Sequence, residues 1–186
     1  MVTERETDLT DAEVVRRVRH GDRDVYRVLV ERYQDTLFRY ALSMVRERDI
    51  ALDLVQATFV NAFTQLSKLR DGTSFGGWAY RMCMNRCRDH LKSRRRRDVS
   101  LDDVAPHALA SPARADAPLE SDELRRSLDD AMASLSDELR EAFVLKHIEG
   151  RSYEEMARLQ GRSVGALKMR VHRAREALKN ALEEVL

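Results

Sequence analysis

The stretch SYEEMARLQGRSVGALKMRVHRARE, residues 152–176, contains two helix signals separated by a glycine. Ser152 and Glu155 form a capping box, in which each side chain can bind the other residue's backbone N–H group. Gly161 ends this short helix, and Ser163 can cap the longer helix that follows. The spacing therefore predicts a short helix, a tight turn and a long helix.

The long helix is predicted to have one apolar face and one basic face. Its apolar residues recur at the three- and four-residue spacing of a buried helical face: Val164, Leu167, Val171, Ala174, Leu178 and Leu182. Residues 161–175 include five basic and no acidic side chains. Such an arrangement is typical of a helix-turn-helix, whose second helix enters the major groove of DNA. The alternative is an amphipathic helix with a solvated face, although solvated faces usually mix both signs.

The basic face is predicted to make two kinds of DNA contact. The residues that face base edges are expected to be Lys168, Met169, His172 and Arg173. Among them, Lys168 and Arg173 can donate to guanine, whereas Met169 can only make apolar contact, for example with a thymine methyl group. Phosphate contacts, which position the protein without reading sequence, are expected from Arg162, Ser163, Arg170 and Arg175.

A second basic helix is predicted at FGGWAYRMCMNRCRDHLKSRRRR, residues 75–97. Aromatic residues stand at its start, and residues 78–97 include eight basic side chains and one acidic. Aromatic rings can stack on exposed bases while arginines hold the backbone, so this helix suits a separated DNA strand. In the alternative interpretation, Trp78 is a core residue and the arginines at 94–97 form a frayed helix end.

A linker is predicted between these two helices. All three prolines, Pro106, Pro112 and Pro118, fall in a stretch rich in Ala, Asp and Ser, which favours a linker over 98–119. It separates an N-terminal module, 1–97, from a C-terminal module, 120–186. The net charge of +1 hides opposite local charges, because residues 120–141 include eight acidic and three basic side chains.

The remaining sequence also predicts helices. Caps are expected at Thr10, Asp22, Asp49 and Ser74 in the N-terminal module. The third helix there is expected to bury Leu52, Val55, Phe59, Phe63 and Leu66, and the C-terminal module is expected to use Leu128 and Ile148 in its apolar stripes. No segment alternates with a period of two, so the fold class is predicted to be all-α, with two helical modules.

Composition excludes several classes of protein. The 186 residues contain no apolar run near the length of a membrane span, and the acidic, polar N-terminus has no signal-peptide core. We therefore expect a cytoplasmic protein without membrane insertion. The sequence has no P-loop, GxSxG, HExxH or GxGxxG motif, so it is not expected to be an enzyme or to use a cofactor.

Cys83, Cys87 and His90 fall on one face of the second basic helix. They are zinc ligand types, but the sequence lacks a matching CxxC or HxxxH. Cysteines packed in the core are the commoner outcome, so no metal is predicted. A zinc or redox role is the alternative.

Three stretches, in this order, resemble the extracytoplasmic-function (ECF) sigma factors of bacterial RNA polymerase. They are DLVQATFVNAFTQL at 53–66, FGGWAYRMCMNRCRDHL at 75–91, and the stretch at 152–176. The resemblance covers nearly the whole chain outside the first ten residues and the linker. It implies an alternative sigma factor that binds core RNA polymerase, selects promoters and promotes DNA opening, and that is held inactive by an anti-sigma factor.

The resemblance also implies roles for individual residues. Docking on the β′ clamp of core RNA polymerase is implied for Asp53, Leu54, Gln56 and Phe59. The β flap of the polymerase is implied as a second contact of the chain. The loop at 69–74, with Phe75, is implied to cradle a base flipped from the minus-ten element. The residues implied at that element are Arg70, Ser74, Phe75, Trp78, Arg81, Asn85 and Arg86. The C-terminal reading helix is implied to recognise the minus-thirty-five element.

Two positions depart from the family's pattern. Ala57 stands where Glu is frequent, and Met169 stands where a small polar residue is usual.

A repressor or activator that binds DNA only through its C-terminal helix-turn-helix would need a sensor or dimerisation module at its N-terminus. An RNA-binding protein is a weaker alternative, because the aromatic sheet motif and the KH loop are missing.

Overall fold

Helices account for the regular secondary structure in residues 8–69, 74–99 and 119–183, the parts of the chain that the computed structural model describes. For 98–99 and 119–125 it describes the backbone alone. No strand occurs in these ranges, and the all-α prediction is confirmed. The chain divides into two units, Met1–Ser100 and Leu101–Leu186. Most of the predicted linker, and Arg70, lie outside the described residues.

Four α-helices lie in the described part of the N-terminal unit. They are α1 (Asp11–Arg19), α2 (Arg27–Val45), α3 (Arg48–Thr64) and α4 (Phe75–Val99), with 3-10 turns at Asp24–Tyr26 and Leu66–Lys68. The predicted capping box of α1 is confirmed, since Thr10 N donates to the Glu13 carboxylate at 2.8 Å and Glu13 N donates to Thr10 Oγ1 at 3.3 Å. The hydrogen bonds that the backbone N–H and the hydroxyl of Thr10 donate to the Glu13 carboxylate lower the pKa of Glu13.

Two other predicted caps are wrong. Residues Asp24–Tyr26 form a 3-10 turn that leads directly into α2, so Asp22 does not cap that helix. Asp49 lies inside the first turn of α3, which has Glu47 in extended backbone at its N-cap. The reason is Arg46, the C-cap of α2, whose φ of 64° turns the chain so sharply that only Arg46 and Glu47 separate the two helices.

The core of the N-terminal unit lies where α2, α3 and α4 pack against one another. Its largest fully buried side chains include Leu29, Leu37, Tyr40, Met44, Phe75 and Met84. The expectation that Leu52 points inward is wrong, because its side chain is 46% exposed. Leu52 lies on the rim of a groove between α2 and α3 rather than beneath it.

In the C-terminal unit, the last helix packs against three other helices. The elements are α5 (Leu119–Ser134), α6 (Asp137–Phe143) with a π-helical continuation (Val144–Ile148), α7 (Tyr153–Gln160) and α8 (Val164–Glu183). Leu128 and Ile148, expected in the apolar stripes, are 44% and 47% exposed. For Ile148 the reason is the π turn, which changes the angular spacing of side chains at the end of this segment.

Arg140 joins α5 to α6 inside the C-terminal unit. Its side chain is buried, with Nε donating to Met132 O at 2.9 Å and Nη2 donating to Ala133 O and Leu135 O at 3.0 and 3.1 Å. The last carbonyls of a helix have no partner within that helix. Arg140 therefore satisfies the C-terminal end of α5.

Candidate nucleic-acid interface

The turn between α7 and α8 has the geometry that its sequence predicts. Glu155 N donates to Ser152 Oγ at 3.1 Å, and Ser152 N donates to the Glu155 carboxylate at 2.8 Å, which lowers the pKa of Glu155. Gly161 ends α7 in the left-handed region, with a φ of 63°, where an L side chain would be strained. Ala166 N then donates to Ser163 Oγ at 3.3 Å, which caps the start of α8.

Helix α8 has one buried face and one exposed face. Leu167, Val171, Ala174 and Leu178 are buried against the rest of the unit. The four residues predicted to face base edges are exposed together on the opposite side: Lys168, Met169, His172 and Arg173. Met169 is 51% exposed, so a large apolar side chain stands among cationic ones without being needed in the core.

The predicted phosphate contacts differ in their surroundings. Arg162, Ser163 and Arg175 are exposed at the edges of the basic face. Arg170 is only half-exposed, and its Nη2 forms an ion pair with Glu138 of α6 at 2.8 Å. Arg170 would have to leave this ion pair to reach a phosphate.

Tyr153, which the sequence reasoning missed, lies beside the reading face. The Nζ atoms of Lys146 and Lys168 stand 4.8 and 5.7 Å from its ring centroid, within cation–π range. Tyr153 thus connects the first turn of α7 to a predicted base-reading lysine of α8. The sequence did indicate Tyr153 in one respect, since it follows the capping Ser152 and so lies in the first turn of α7, the turn that approaches α8.

Four of the predicted strand contacts form one stripe, which starts at Ser74 immediately before α4 and continues along that helix. Ser74, Trp78, Arg81 and Asn85 recur at four-, three- and four-residue intervals, which places them on one side of a helix. Ser74, Arg81 and Asn85 are exposed and Trp78 is half-buried. The buried residues of α4 lie on the opposite side: Ala79, Tyr80, Cys83, Met84, Cys87 and Leu91. Trp78 thus packs against Phe75 at the edge of the core while the residue remains partly exposed, and its contact with DNA stays a prediction.

Phe75 and Arg86 lie off this stripe. The Phe75 ring is fully buried, with its centroid 6.1 Å from Tyr26, 5.8 Å from Tyr33 and 6.1 Å from Trp78. It supports Trp78 from the core side. Arg86 is half-exposed, and its Nε atom is buried without a hydrogen-bond partner.

A groove of about 750 Å³ runs between α2 and α3. Its lining includes Tyr26, Val30, Gln34, Phe38, Arg48, Leu52, Gln56, Phe59, Val60 and Phe63. Of the four residues predicted to bind core polymerase, Gln56 and Phe59 line the groove, while Asp53 and Leu54 lie outside its lining. Leu52 and Val60, the latter 60% exposed, were missed as surface residues. Helical periodicity shows which apolar residues share a face, but it does not show which of them a neighbouring helix covers.

Both cysteines are buried as thiols, as core packing predicts. A hydrogen bond with Cys87 lowers the pKa of the Cys83 thiol, although burial opposes this shift. Within the described ranges, no group of three or more His, Cys, Asp or Glu side chains could hold a metal ion. Nor does any helix in those ranges combine the length and apolar character needed to cross a membrane.

Two families of protein domain match this chain. Residues 29–97 match Sigma-70 region 2, and residues 125–178 match Sigma-70, region 4. The RNA polymerase sigma-H factor of Pseudomonas aeruginosa is 33% identical, with 97% of each chain covered. The ECF RNA polymerase sigma-E factor of Haemophilus influenzae is 31% identical, with 96% of this chain and 98% of that protein covered.

Two solved structures are also similar. The sigma factor RpoE of Bartonella quintana, in complex with the anti-sigma factor NepR, has a TM-score of 0.69 and 27% identity, covering 85% of this chain and 96% of that one. CnrH, in complex with the cytosolic domain of CnrY, has a TM-score of 0.68 and 26% identity, covering 94% and 97%. With the family matches and the whole-length relatives, they identify this chain as a member of the ECF RNA polymerase sigma factors.

Proposed function

We propose that this chain binds core RNA polymerase, directs it to promoters with two separate elements, and promotes DNA opening at the one nearer the start site. The observation that carries the proposal is the pair of exposed helix faces suited to DNA, one in each unit. The α4 stripe combines an aromatic ring with polar and basic side chains, and α8 offers a cationic face opposite its core residues.

The C-terminal unit reads duplex DNA in this proposal. Helix α8 enters the major groove at the minus-thirty-five element, with Lys168 and Arg173 donating to base edges. The cation–π contact with Tyr153 restricts the Lys168 side chain before DNA arrives. Arg162, Ser163 and Arg175 contact phosphates, which fixes the register of the helix. Arg170 contributes there only if its ion pair with Glu138 opens.

The N-terminal unit captures the separated strand of the minus-ten element. Trp78 stacks on an unpaired base, Asn85 binds a base edge, and Arg81 holds the backbone. Ser74 completes the described part of the proposed site, and Arg70 is proposed as a further DNA contact. Phe75 acts from below by supporting Trp78, and Arg86 contributes from the flank of the stripe.

Core polymerase occupies the groove between α2 and α3 in this proposal, through its β′ clamp. Gln56 and Phe59 line the groove, Asp53 adds an exposed carboxylate, and Leu54 lies on the far flank of α3. The β flap is the proposed contact of the C-terminal unit. The chain supplies binding and positioning in the cytoplasm, and the core enzyme supplies the chemistry of RNA synthesis.

An anti-sigma factor is the proposed regulator. The similar sigma factor RpoE was solved in complex with the anti-sigma factor NepR. A protein that covers the groove or the α8 face of this chain would block polymerase or promoter binding.

Reconstituted transcription tests the proposed function. The purified chain and core polymerase are supplied with a library of random upstream sequences, and the transcript starts are sequenced. Starts that depend on the chain and share two upstream elements are expected. Tight binding of duplex DNA by the chain alone, with no dependent transcripts, would instead favour a repressor or activator.

Replacing Trp78 or Asn85 with alanine is expected to impair promoter opening. Each contact with an unpaired base is worth about 1–3 kcal/mol, so each variant should lower the equilibrium for opening by roughly five- to 150-fold. Permanganate footprinting of unpaired thymines measures this change. Glu31→Ala, an exposed position on α2, is the control. Unchanged footprints in both variants would exclude these side chains from strand capture.

Arg173→Ala and Arg175→Ala are expected to have different effects on promoter binding. Loss of the Arg173 base contact should remove about 1–3 kcal/mol of discrimination at one base pair. Loss of Arg175 should weaken binding by a similar factor for every sequence, because phosphates are the same throughout DNA. Holoenzyme binding to a library randomised at the minus-thirty-five element measures both effects. A uniform loss in Arg173→Ala would reassign Arg173 to the phosphates.

A further inference from the structure

Tyr33 of α2 is held by the first turn of α1. Its hydroxyl donates a hydrogen bond to the carboxylate of Asp11, the first residue of that helix. Burial, and then this hydrogen bond, raise the pKa of Tyr33 to about 12, so the hydroxyl is a donor at neutral pH. The other Asp11 oxygen accepts from the Arg32 guanidinium, and the Asp11 side chain is only 11% exposed. Tyr33 is therefore bound to a carboxylate that is itself held in place.

The Tyr33 ring packs on the first turn of α4 at two points. Its centroid lies 5.8 Å from that of Phe75. A Cβ atom on Gly76 would stand 2.6 Å from Tyr33 Cε1, 2.7 Å from Cζ and 2.8 Å from the hydroxyl oxygen. Atoms in van der Waals contact are about 3.5–4.0 Å apart, so the α4 backbone lies against the ring with no room for a side chain. The position of the ring thus limits how closely α4 approaches α2.

Trp78 lies in the same turn of α4, two residues after Gly76. Its ring centroid is 6.1 Å from that of Phe75, in an edge-on arrangement. Contacts therefore continue from the Asp11 carboxylate through two aromatic rings to Trp78. Because protein interiors are close-packed, a shift of the Tyr33 ring moves the groups that lie between it and Trp78.

We propose that Tyr33, fixed by Asp11, is a positioning residue for Trp78 in strand capture. The Tyr33 ring sets the place of the first turn of α4, and with it the plane that Trp78 presents to an unpaired base. Stacking depends on this plane, and a binding group must be held within about 0.5 Å of its productive position. The inference rests on the proposed strand capture by the N-terminal unit.

A double-mutant cycle on holoenzymes made with the full chain tests this role. The probe is a set of single-stranded oligonucleotides that the unmodified holoenzyme selects from a random pool, and the measured quantity is their affinity. Gly76→Ala places a methyl group against the Tyr33 ring, and Tyr33→Phe removes only the hydroxyl. Gly77→Ala is the matched control, because a Cβ there meets nothing beyond its own helix within 4 Å in the described part of the unit. Each variant is made with Trp78 and with Trp78→Ala.

In chains with Trp78, Gly76→Ala is expected to lower the affinity by about fivefold, the lower end of the range for one stacked base. Tyr33→Phe should lower it by about twofold, because the ring remains and only its hydrogen bond is lost. Gly77→Ala should match the unmodified chain. In chains with Trp78→Ala, none of the three variants should lower the affinity further, since the ring that they would displace is absent.

Circular dichroism of the helices during thermal unfolding identifies the variants that fold. If Gly76→Ala does not fold, Tyr33→Phe decides the question by the same comparison. An equal loss of affinity with and without the Trp78 ring would mean that Tyr33 only supports the fold, and would overturn the proposal. Unchanged affinity in both folded variants would also overturn it, while a loss in Trp78→Ala would leave strand capture intact.

Failure of strand capture itself looks different. In that case the unmodified holoenzyme would enrich no strands from the pool, or Trp78→Ala alone would bind the selected strands as tightly as the unmodified chain. Either result would overturn the positioning role as well, because Tyr33 would then have no stacking ring to position.

Discussion

Phe75→Ala is expected to lower the free energy of unfolding of the N-terminal unit by about 3–5 kcal/mol. The Phe75 ring is fully buried, and it packs edge-on against Tyr26 and Trp78 and at a tilt against Tyr33. Its removal leaves a cavity beneath the first turn of α4. Urea unfolding of the full chain measures the effect through Trp78, which is the only tryptophan and lies in this unit.

Two further variants test whether the lower free energy of unfolding in Phe75→Ala comes from the lost packing of the ring. Phe75→Leu retains an apolar side chain of similar size and should cost about 1.5 kcal/mol or less. Val60→Ala, at a surface position on α3, should change stability by less than about 0.5 kcal/mol. If Phe75→Ala kept full stability but lost promoter opening, the ring would be facing DNA rather than the core. This comparison separates the structural role of Phe75 from the base contact that family resemblance implies.

Arg140→Ala is expected to destabilise the C-terminal unit by about 3 kcal/mol. Three carbonyls at the end of α5 would lose a charged donor, and bonds to charged groups contribute about 1.5–3 kcal/mol each, with water replacing part of that loss. This unit contains no tryptophan. Hydrogen exchange of the α5 and α6 backbone amides in the full chain therefore measures the change.

A second arginine in the same unit provides the control for Arg140. Arg158 is exposed in the last turn of α7, and Arg158→Ala should leave amide protection in α5 and α6 unchanged. Arg140→Lys should recover only part of the loss, since one ammonium group cannot reach three carbonyls with the geometry of a guanidinium. Equal protection in Arg140→Ala and the unmodified chain would mean that water satisfies these carbonyls just as well.

Local signals predicted most of the helices, because capping and periodicity depend on a few neighbouring residues. Thr10, Ser152, Ser163 and Gly161 have the predicted conformations or hydrogen bonds. Asp49 failed as a cap because Arg46 adopts a left-handed conformation that no nearby glycine signalled. The π turn at Val144–Ile148 was missed for a similar reason, since its hydrogen-bond spacing has no distinct sequence pattern.

The candidate site was less predictable than the helices that carry it. The α4 stripe and the α8 face follow from helical spacing, which the sequence displays directly. The burial of Phe75 depends on Tyr26 and Tyr33, which lie about fifty and forty residues earlier in the chain. The ion pair of Arg170 with Glu138 and the approach of Tyr153 to Lys168 also join separate helices. Pattern reasoning along one helix cannot detect such contacts.

The separation of the two α8 faces has a consequence for how such proteins diverge. Mutations at Lys168, Met169, His172 or Arg173 alter the outward surface while the buried positions Leu167 and Val171 keep the helix in place. Surface substitutions of this kind usually change stability by less than about 0.5 kcal/mol. If this face reads promoters as proposed, a duplicated copy of the gene can acquire new target promoters in small steps while its buried face stays unchanged.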